Sequence, residues 1–488
     1  MTEVDERRAQ RLAKLARLSE QGIDPFPPRA EFTHTAEQAV AAFDPQAEQQ
    51  PTVTVAGRLT SIRVMGKSTF AHLRDGSGPV QIYLQRDVLG EESYNVFRHE
   101  VDLGDFGQFT GELFATRTGE VTVRVTAWVF LGKTLRQMPD KWHGLRDTET
   151  RYRQRYLDLL SNEEVRDIFV KRTRIISAVR RFLDARGCLE VETPTLQPIY
   201  GGANARPFTT YHNELERTFY LRIADELYLK RLIIGGLDRV YEIAHNFRNE
   251  GVSTRHNPEF TACEVYEAYA DYEDMMALVE QMYSQVAQEV LGTQAVSYQG
   301  QAIDLTPPWR RVSMRDAILE AAGIDIAVHR DYDGLVAAGR AAGVDLDGQP
   351  TWGKLVEKLF DQFVEPNLIQ PTFIVDYPID ISPLAKQKPG APHLVERFEF
   401  FVGGLECGNA FTELNDPLEQ RQRFEQQAQA AAQGEDETQP LDEDFILALE
   451  HGMPPTGGLG FGIDRMVMLL TDQTSIREVI LFPQLREE

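Results

Sequence analysis

Hydrophobic residues take every second position in short runs between residues 51 and 131, and Gly, Asp and Ser separate the runs. A period of two is typical of β-strands that bury one face, and turn residues at this spacing favour a small closed sheet. The pattern suits a five-stranded barrel of the OB type, which we place at residues 51–135. Such barrels bind single-stranded nucleic acid through exposed aromatic and polar side chains. Phe70 is the candidate to stack on a base and Gln81 to read a base edge; the alternative is that Phe70 belongs to the barrel core.

A helical pattern precedes the barrel. Residues 7–18 contain five basic residues and no acidic residue. Their spacing places four of them on one stripe of a helix, namely Arg7, Arg11, Lys14 and Arg17. We therefore assign residues 1–50 to a basic N-terminal helical extension. The alternative is an ordinary solvated helix face.

The chain after the barrel changes character twice. Residues 136–160 are polar and rich in Arg, which predicts a linker. Apolar residues then recur at helical spacing up to Leu183, and Gly187 is a plausible C-terminal stop. Residues 188–194, CLEVETP, alternate until Pro194 and predict an edge strand. The long helix and this strand could form a self-pairing surface; packing inside one subunit is the alternative.

Two further alternating runs, residues 239–248 and 260–267, flank a loop that contains Gly251 and an Asn-Pro pair. They predict an antiparallel hairpin with Arg248 at one root and Phe260 at the other. A guanidinium group is suited to phosphate or carboxylate, and an aromatic face is suited to a base. The alternative is an exposed hairpin with solvated charges.

Gly403 and Gly404 lie between two alternating runs and predict a two-residue hairpin turn. In that register Glu399 and Glu406 share one face of the sheet. Two such carboxylates form a hard oxygen site suited to Mg²⁺, which keeps waters and bridges phosphates. A pair of solvated carboxylates is the alternative.

The same strand carries a second polar set whose position depends on register. Strict alternation puts Asn409, Phe411 and Glu413 on the face opposite Glu406. If both sets serve one pocket, a β-bulge near Gly408 is required.

Near the C-terminus, residues 454–472 read PPTGGLGFGIDRMVMLLTD, a glycine-rich segment that runs into an apolar helix. Closely spaced glycines let backbone approach a ligand, and Arg465 in the first helical turn adds positive charge there. The alternative is a tight strand-to-helix packing joint.

Composition narrows the function classes. The chain has 488 residues, enough for two or three domains, and 51 basic against 75 acidic residues give a net charge of −24. This balance argues against general nucleic-acid affinity without excluding a local basic face. The three cysteines lie far apart and indicate a reducing compartment without a disulfide framework or zinc site. No apolar run approaches the roughly 18–20 residues of a membrane span, and we expect no signal peptide.

Together, the candidate residues predict what kind of ligand the site binds. Arg248 and Arg465 face phosphate, and a carboxylate pair holds a metal. Three more carboxylates, Glu226, Glu264 and Glu413, are then in surplus. Unpaired buried charge is unfavourable, so a ligand with ammonium groups is expected. No nucleophilic triad is evident, and the reaction would rest on positioning and charge stabilisation.

These segments resemble class II aminoacyl-tRNA synthetases, and most closely the bacterial-type lysyl-tRNA synthetases. CLEVETPTL resembles the first motif of the class, FRNEG with RHNPEF the second, and GLGFGIDR the third. ADELYLKR, CEVYEAYADY, SPLAK and ECGNAFTELN are similar to the lysyl branch in particular. The resemblance implies an α+β fold in which an antiparallel sheet flanked by helices forms the catalytic domain, residues 161–488. Its motifs would lie near 188–200, 239–267 and 454–472, behind an anticodon-binding OB barrel.

The resemblance also implies a role for each candidate residue. Arg248 and Arg465 would be catalytic, the first bridging the amino-acid carboxylate and the α-phosphate, the second holding the γ-phosphate. ATP would be bound by Arg248, Glu250, His256, Asn257, Phe260 and Arg465. Mg²⁺ would be held by Glu399 and Glu406. Lysine would be bound by Gly202, Glu226, Arg248, Glu264, Tyr266, Asn409, Phe411 and Glu413. Phe70 and Gln81 would read the central uridine of the anticodon.

By this resemblance we expect a cytoplasmic homodimer that joins L-lysine to tRNA(Lys) with ATP and Mg²⁺, without a membrane partner. An aspartyl or asparaginyl synthetase is the nearest alternative, although such a pocket needs donors and this one offers acceptors. A synthetase-like binding protein and a paralogue that transfers lysine to protein are further alternatives. The acidic, Gln/Ala-rich segment 425–444 has no assigned role.

Overall fold

The computed structural model describes residues 3–138, 145–346, 351–432 and 440–486. They divide into two compact units, Met1–Gly144 and Leu145–Glu488. Residues 139–144 of the predicted linker and residues 433–439 of the acidic segment lie outside the described residues.

The first unit contains a closed barrel with strand order β1-β2-β3-β5-β4. Its interior is filled by apolar side chains such as Val53, Leu73, Ile82 and Phe109. The predicted five-stranded OB-type barrel is confirmed. The elements of this unit are α1 Glu3–Glu20, α2 Ala36–Ala41, β1 Thr52–Met65, β2 Ser68–Arg74, β3 Pro79–Gln85, α3 Arg86–Leu89, α4 Glu91–Glu100, β4 Phe106–Ala115 and β5 Val121–Gly132.

The basic stripe of α1 is bound to its own barrel. Lys14 pairs with Asp102 at 2.6 Å, and Arg17 pairs with Glu100 at 2.8 Å. Arg11 donates hydrogen bonds to backbone carbonyls of the barrel unit, including that of Leu103 at 3.0 Å. The stripe therefore fastens the predicted N-terminal helix to acidic residues of the barrel unit, while Arg7 and Arg17 stay exposed.

The second unit is built on one large sheet with strand order β14-β15-β16-β17-β18-β11-β10-β6. Its strands are β6 Leu189–Glu190, β7 Leu196–Gln197, β8 Thr209–His212, β9 Arg217–Leu221, β10 Arg239–Phe247, β11 Glu259–Ala268, β12 Ala295–Tyr298, β13 Gln301–Asp304, β14 Arg310–Ser313, β15 Thr372–Val375, β16 Arg397–Val402, β17 Leu405–Thr412 and β18 Thr456–Gly462. Strands β7 to β9 form a small separate sheet, and β12 pairs with β13.

The helices of this unit are α5 Thr148–Arg153, α6 Arg155–Ser161, α7 Glu163–Ala185, α8 Glu226–Ile234, α9 Tyr272–Leu291, α10 Met314–Ala322, α11 Tyr332–Ala341, α12 Trp352–Phe363, α13 Pro417–Ala432, α14 Glu443–Glu450, α15 Ile463–Leu470 and α16 Ile476–Val479. One face of the large sheet packs on α7, α9 and α15 in a continuous apolar core. The other face packs on α8, α10 and α12 at its margin and leaves a cavity between them.

The predicted α+β class is confirmed, with one refinement of the sheet. Pairings in its middle are antiparallel, whereas the outermost pairs, β14 with β15 and β6 with β10, are parallel. The predicted helix is α7, and Gly187 follows it with a φ of +79°. The predicted edge strand is present as β6 but spans only Leu189–Glu190.

Candidate active site

One cavity of about 470 Å³ opens on the sheet face opposite α7 and α9. Every site residue that the sequence analysis placed in the catalytic domain lines it. They are Gly202, Glu226, Arg248, Glu250, His256, Asn257, Phe260, Glu264, Tyr266, Glu399, Glu406, Asn409, Phe411, Glu413 and Arg465. Their individual roles stay predictions, but the structure brings all of them together.

The hairpin β10–β11 forms one wall of the cavity. Asn246 pairs with Phe260, and the amide of Arg248 donates to the carbonyl of Pro258 at 2.9 Å. This root places the guanidinium of Arg248 over the Phe260 ring, 5.1 Å from its centroid. Its Nε has no hydrogen-bond partner among the described residues, so the group is available to an anion.

The loop of this hairpin is held by its own side chains. Asn257 is buried, donates to the carbonyl of Glu259 at 2.6 Å and accepts from the amide of Gln484 at 3.1 Å. His256 is exposed at the cavity edge and shares a hydrogen bond with Ser253 at 3.1 Å. Asn257 therefore shapes the loop, whereas His256 and Glu250 are exposed residues of the cavity lining.

The second arginine comes from the glycine-rich segment. Arg465 stands in the first turn of α15, where it bonds the Glu406 carboxylate at 3.1 Å. The neighbouring Asp464 fixes that turn, because it accepts from the amide of Thr261 at 2.8 Å and pairs with Arg172 at 2.5 Å. Arg172, on α7, is a positioning residue that the sequence analysis missed.

A β-bulge unites the two polar sets of strand β17, as the sequence required. Phe401 pairs with Glu406 and Phe400 with Gly408, which leaves Cys407 as the extra residue. Beyond the bulge Glu399 lies directly opposite Asn409. The carboxylate pair and the second polar set thus share the cavity face, and the predicted bulge lies one residue before Gly408.

The two candidate metal ligands differ electrostatically. Burial raises the pKa of Glu399 to about 7, opposed by Arg397 and reinforced by Glu406. Burial acts on Glu406 in the same direction, but Arg465 and Arg248 outweigh it and hold its pKa below the usual value. Within the described ranges no group of three or more His, Cys, Asp or Glu side chains forms a metal cluster. Mg²⁺ needs only one or two carboxylates beside substrate phosphates, so this partly buried, mutually repelling pair fits it.

The opposite end of the cavity is acidic. Tyr266 donates to a buried Glu264 oxygen at 3.0 Å, and the amide of Asp225 donates to the other at 3.4 Å. Burial and the neighbouring carboxylates of Asp225 and Glu226 raise the pKa of Glu264 well above its usual value. Burial also raises the pKa of Asp225 to about 6.

The charge count from the sequence needs a correction at this end. Glu226 and Glu413 are not both in surplus, because the one ammonium of Lys230 pairs with both and balances one of their two charges. Lys230 lies one turn after Glu226 on α8, and this i, i+4 spacing was the signal that could have found it. Among the described residues, Glu264 and Asp225 are the carboxyl groups here without a cation at ion-pair distance.

Arg397 is a further residue that the sequence analysis missed. Its guanidinium donates to Asn409 at 2.9 Å and to Glu399 at 2.6 Å, and stacks 4.5 Å from the Tyr377 ring centroid. It thereby links Asn409 to the candidate metal ligand Glu399. Its spacing of two from Glu399 on a strand was the available signal.

Two glycines allow the backbone to close on the acidic end. A Cβ at Gly458 would stand 1.8 Å from a Glu413 oxygen and 2.7 Å from the Tyr266 ring. Gly202 has a φ of +86°, and a Cβ there would lie 3.0 Å from Glu226. Gly458 belongs to the glycine-rich segment, so this segment forms part of the cavity wall. Gly202 allows the same close approach from another part of the chain.

In the first unit, an aromatic surface covers the outside of the barrel. Phe70 stacks on Tyr83 with 4.4 Å between ring centroids, and Tyr83 contacts Phe114. Phe70 points away from the barrel interior, so the alternative that it belongs to the core is wrong. Gln81 lies on the same face, where it accepts from Thr122 at 2.8 Å and donates to Glu120 at 2.7 Å.

Comparison with known proteins decides the family. A model described as tRNA synthetases class II (D, K and N) matches residues 147–486, and one described as OB-fold nucleic acid binding domain matches residues 53–131. The lysine–tRNA ligase of Roseiflexus castenholzii is 57% identical over 485 residues, 99% of each chain. The chain belongs to the class II lysine–tRNA ligase family.

Other members of that family are similar over nearly the whole chain. The lysine–tRNA ligase of Chloroflexus aurantiacus is 54% identical over 486 residues, 99% of each chain. That of Bacillus subtilis is 51% identical over 479 residues, which cover 97% of this chain and 96% of its own. None of the helices in the described ranges has the length and apolar character needed to cross a membrane.

Proposed function

We propose that the protein is an ATP-dependent lysine–tRNA ligase, which activates L-lysine and transfers it to the terminal adenosine of tRNA(Lys). One observation carries the choice of amino acid. The cavity holds guanidinium groups at one end and a buried carboxyl pair, Asp225 and Glu264, without a cation at the other. A zwitterion with a distant ammonium group complements both ends.

The arginine end would hold ATP and the lysine carboxylate. Phe260 offers its ring to adenine, with Glu250, His256 and Asn257 around it. Arg248, whose Nε is free among the described residues, would bind the carboxylate and the α-phosphate together, and Arg465 would bind the γ-phosphate. Fixed guanidinium groups stabilise the charge that develops on phosphate oxygens during displacement.

Glu399 and Glu406 would hold Mg²⁺ at this end. When bound, the ion would neutralise charge on the phosphate oxygens of ATP. Arg397 keeps Glu399 oriented and the bulge at Cys407 keeps Glu406 on the cavity side.

The acidic end would hold the amino groups of lysine. Gly202 and Glu226 would receive the α-ammonium. Glu264 with Tyr266 and Glu413 would bind the ε-ammonium, and Asn409 and Phe411 would complete the pocket. Glu264 is in hydrogen-bond contact with Asp225 and Tyr266, and the cationic donor of this end, Lys230, is already paired with Glu226 and Glu413. An aspartate or asparagine side chain would therefore meet acceptors that already surround the described donors.

The reaction proceeds in two steps. The lysine carboxylate attacks the α-phosphorus in line, a P–O bond forms, and pyrophosphate leaves with the electron pair of the broken bond. The ribose 3′-hydroxyl of tRNA then attacks the lysyl carbonyl, and AMP leaves. Chemistry of this kind depends on alignment and charge stabilisation, which the arginines and the ordered cavity wall supply.

Three further assignments complete the proposal. Phe70 and Gln81 would bind the central anticodon base on the aromatic surface of the barrel unit. Homodimerisation would bury exposed apolar residues of β6 and the small sheet, such as Leu189 and Leu196, which are 51% and 47% exposed. Three free, buried cysteines are compatible with the cytoplasm. The domains would be residues 1–50, 51–135 and 161–488, joined by the linker 136–160.

ATP–pyrophosphate exchange tests the proposal. Purified protein should exchange in the presence of lysine and without tRNA, and should then charge tRNA(Lys). Glu264→Gln should raise the KM for lysine on the order of 100-fold with an unchanged KM for ATP, because a buried ammonium loses its charged partner. Glu267→Gln, on the same strand but outside the cavity, is the matched control. Exchange driven by aspartate or asparagine in place of lysine would contradict the proposal.

A further inference from the structure

Lys230 makes inside the protein the contacts that a bound lysine would need. Its side chain is 1% exposed, and its ammonium donates to Glu226 at 2.5 Å and pairs with Glu413. It also lies 5.4 Å from the centroid of the Phe411 ring. These three residues line the cavity, and Lys230 lies behind the wall that they form.

The ammonium of Lys230 is a permanent charge. Burial alone would lower its pKa, but Glu226 and Glu413 outweigh burial and raise the pKa above 10.5. A buried charge between two carboxylates is stable only while the group remains intact, because removal of one partner leaves the others unpaired. Its two carboxylate partners therefore favour the charged form of Lys230 near neutral pH.

The charges at the acidic end of the cavity indicate the role of the Lys230 ammonium. Four carboxyl groups face the acidic end, namely Asp225, Glu226, Glu264 and Glu413. Arg222 and Arg397 act on them from the side, but these are bonded to Glu242 and Glu399. Lysine brings two ammonium groups, and its carboxylate is assigned to Arg248. With Lys230 one of the four carboxyl groups is left without a cation after lysine has bound, and without Lys230 two would be left.

We propose that Lys230 is a positioning and specificity-determining residue of the amino-acid pocket. It holds Glu226 and Glu413 together, occupies the cation position behind them, and leaves the pair Glu264 and Tyr266 to select one ε-ammonium. The inference rests on the lysine pocket proposed above. It adds that the charge of Lys230, as well as the shape of the pocket, limits which amino acid binds.

Substitution of Lys230 with a small residue tests this directly. In full-length Lys230→Ala the KM for lysine should rise on the order of 100-fold, while the KM for ATP changes by less than about twofold. The atoms removed correspond to n-propylammonium, so this ion should restore the lysine KM of the variant at millimolar concentration. In the unaltered protein the same ion should restore nothing and compete weakly with lysine.

Lys230→Met is the matched control, because methionine fills most of the space without the charge. Its KM for lysine should rise, its KM for ATP should stay, and n-propylammonium should not rescue it. The inference is wrong if either folded variant keeps the normal KM for lysine. It is also wrong if Lys230→Ala is equally impaired for lysine and ATP and the amine has no effect. Normal lysine-dependent exchange by the unaltered protein, weakened by Glu264→Gln, would in that case leave the proposed function intact.

Discussion

Lysine binding should release a proton from the Asp225–Glu264 pair. Both carboxyl groups are buried and each shifts the pKa of the other, with Asp225 raised to about 6 and Glu264 raised well above its usual value. Such a pair holds a proton more tightly than an isolated carboxyl group does. An ε-ammonium bound by Glu264 favours the fully ionised pair. As the pH rises the pair loses its proton more readily, so lysine should bind more tightly at higher pH.

Release of one proton sets how steeply kcat/KM for lysine should depend on pH. While the pH is below the upper pKa of the pair, kcat/KM for lysine should rise about tenfold per pH unit. The useful range is about pH 6 to pH 7.5, below the range in which amino groups lose protons. Exchange kinetics would measure the slope, and the KM for ATP over the same range is the internal reference. Calorimetry of lysine binding in two buffers of different ionisation enthalpy would count the protons released.

Glu264→Gln is the control, because an amide has no proton to lose, so its slope should be clearly smaller than that of the unaltered protein, with Asp225 the one carboxyl group left in the pair. The reasoning is refuted if the unaltered protein shows a flat lysine profile and releases no proton on binding. A slope that persists unchanged in Glu264→Gln would assign the proton to another group.

Three other substitutions separate the parts of the molecule. Gly458→Ala should raise the KM for lysine at least about tenfold with little effect on ATP, because its Cβ would stand 1.8 Å from a Glu413 oxygen; equal effects on both substrates in exchange assays would contradict this. Phe70→Ala should weaken charging of tRNA(Lys) about 10- to 100-fold by loss of one stacked base, while lysine-dependent exchange without tRNA stays normal; loss of exchange would show a folding defect instead. Leu196→Asp should convert the proposed dimer to monomer in light scattering, because it places a charge in the proposed interface; an unchanged mass would exclude Leu196 from that interface.

Local pattern was enough to predict the barrel, the hairpin β10–β11 and the helix α7, because each depends on hydrophobic periodicity within a short segment. The bulge at Cys407 was also predictable, since two polar sets of opposite parity had to serve one cavity. These features follow from the alternation of side chains along the chain.

Features that depend on packing between distant segments were beyond the sequence. Lys230 meets Glu413 only because α8 lies against the end of β17, and Arg172 meets Asp464 only because α7 crosses α15. The basic stripe of α1 was ambiguous for the same reason, as its partners Glu100 and Asp102 follow more than eighty residues later. The parallel pairing of β6 likewise depends on how α7 returns the chain to the sheet.

The bulge at Cys407 determines which face of strand β17 carries the proposed lysine-binding residues. Removing that one residue would keep Glu406 on the cavity face but turn Asn409, Phe411 and Glu413 towards the apolar core on the other face, with no change in any of their identities. A β17 segment transplanted from a relative with different specificity would therefore function only if it kept an odd number of extra residues between Glu406 and Gly408. The proposed choice of amino acid therefore depends on the length of strand β17 as well as on the identities of its residues.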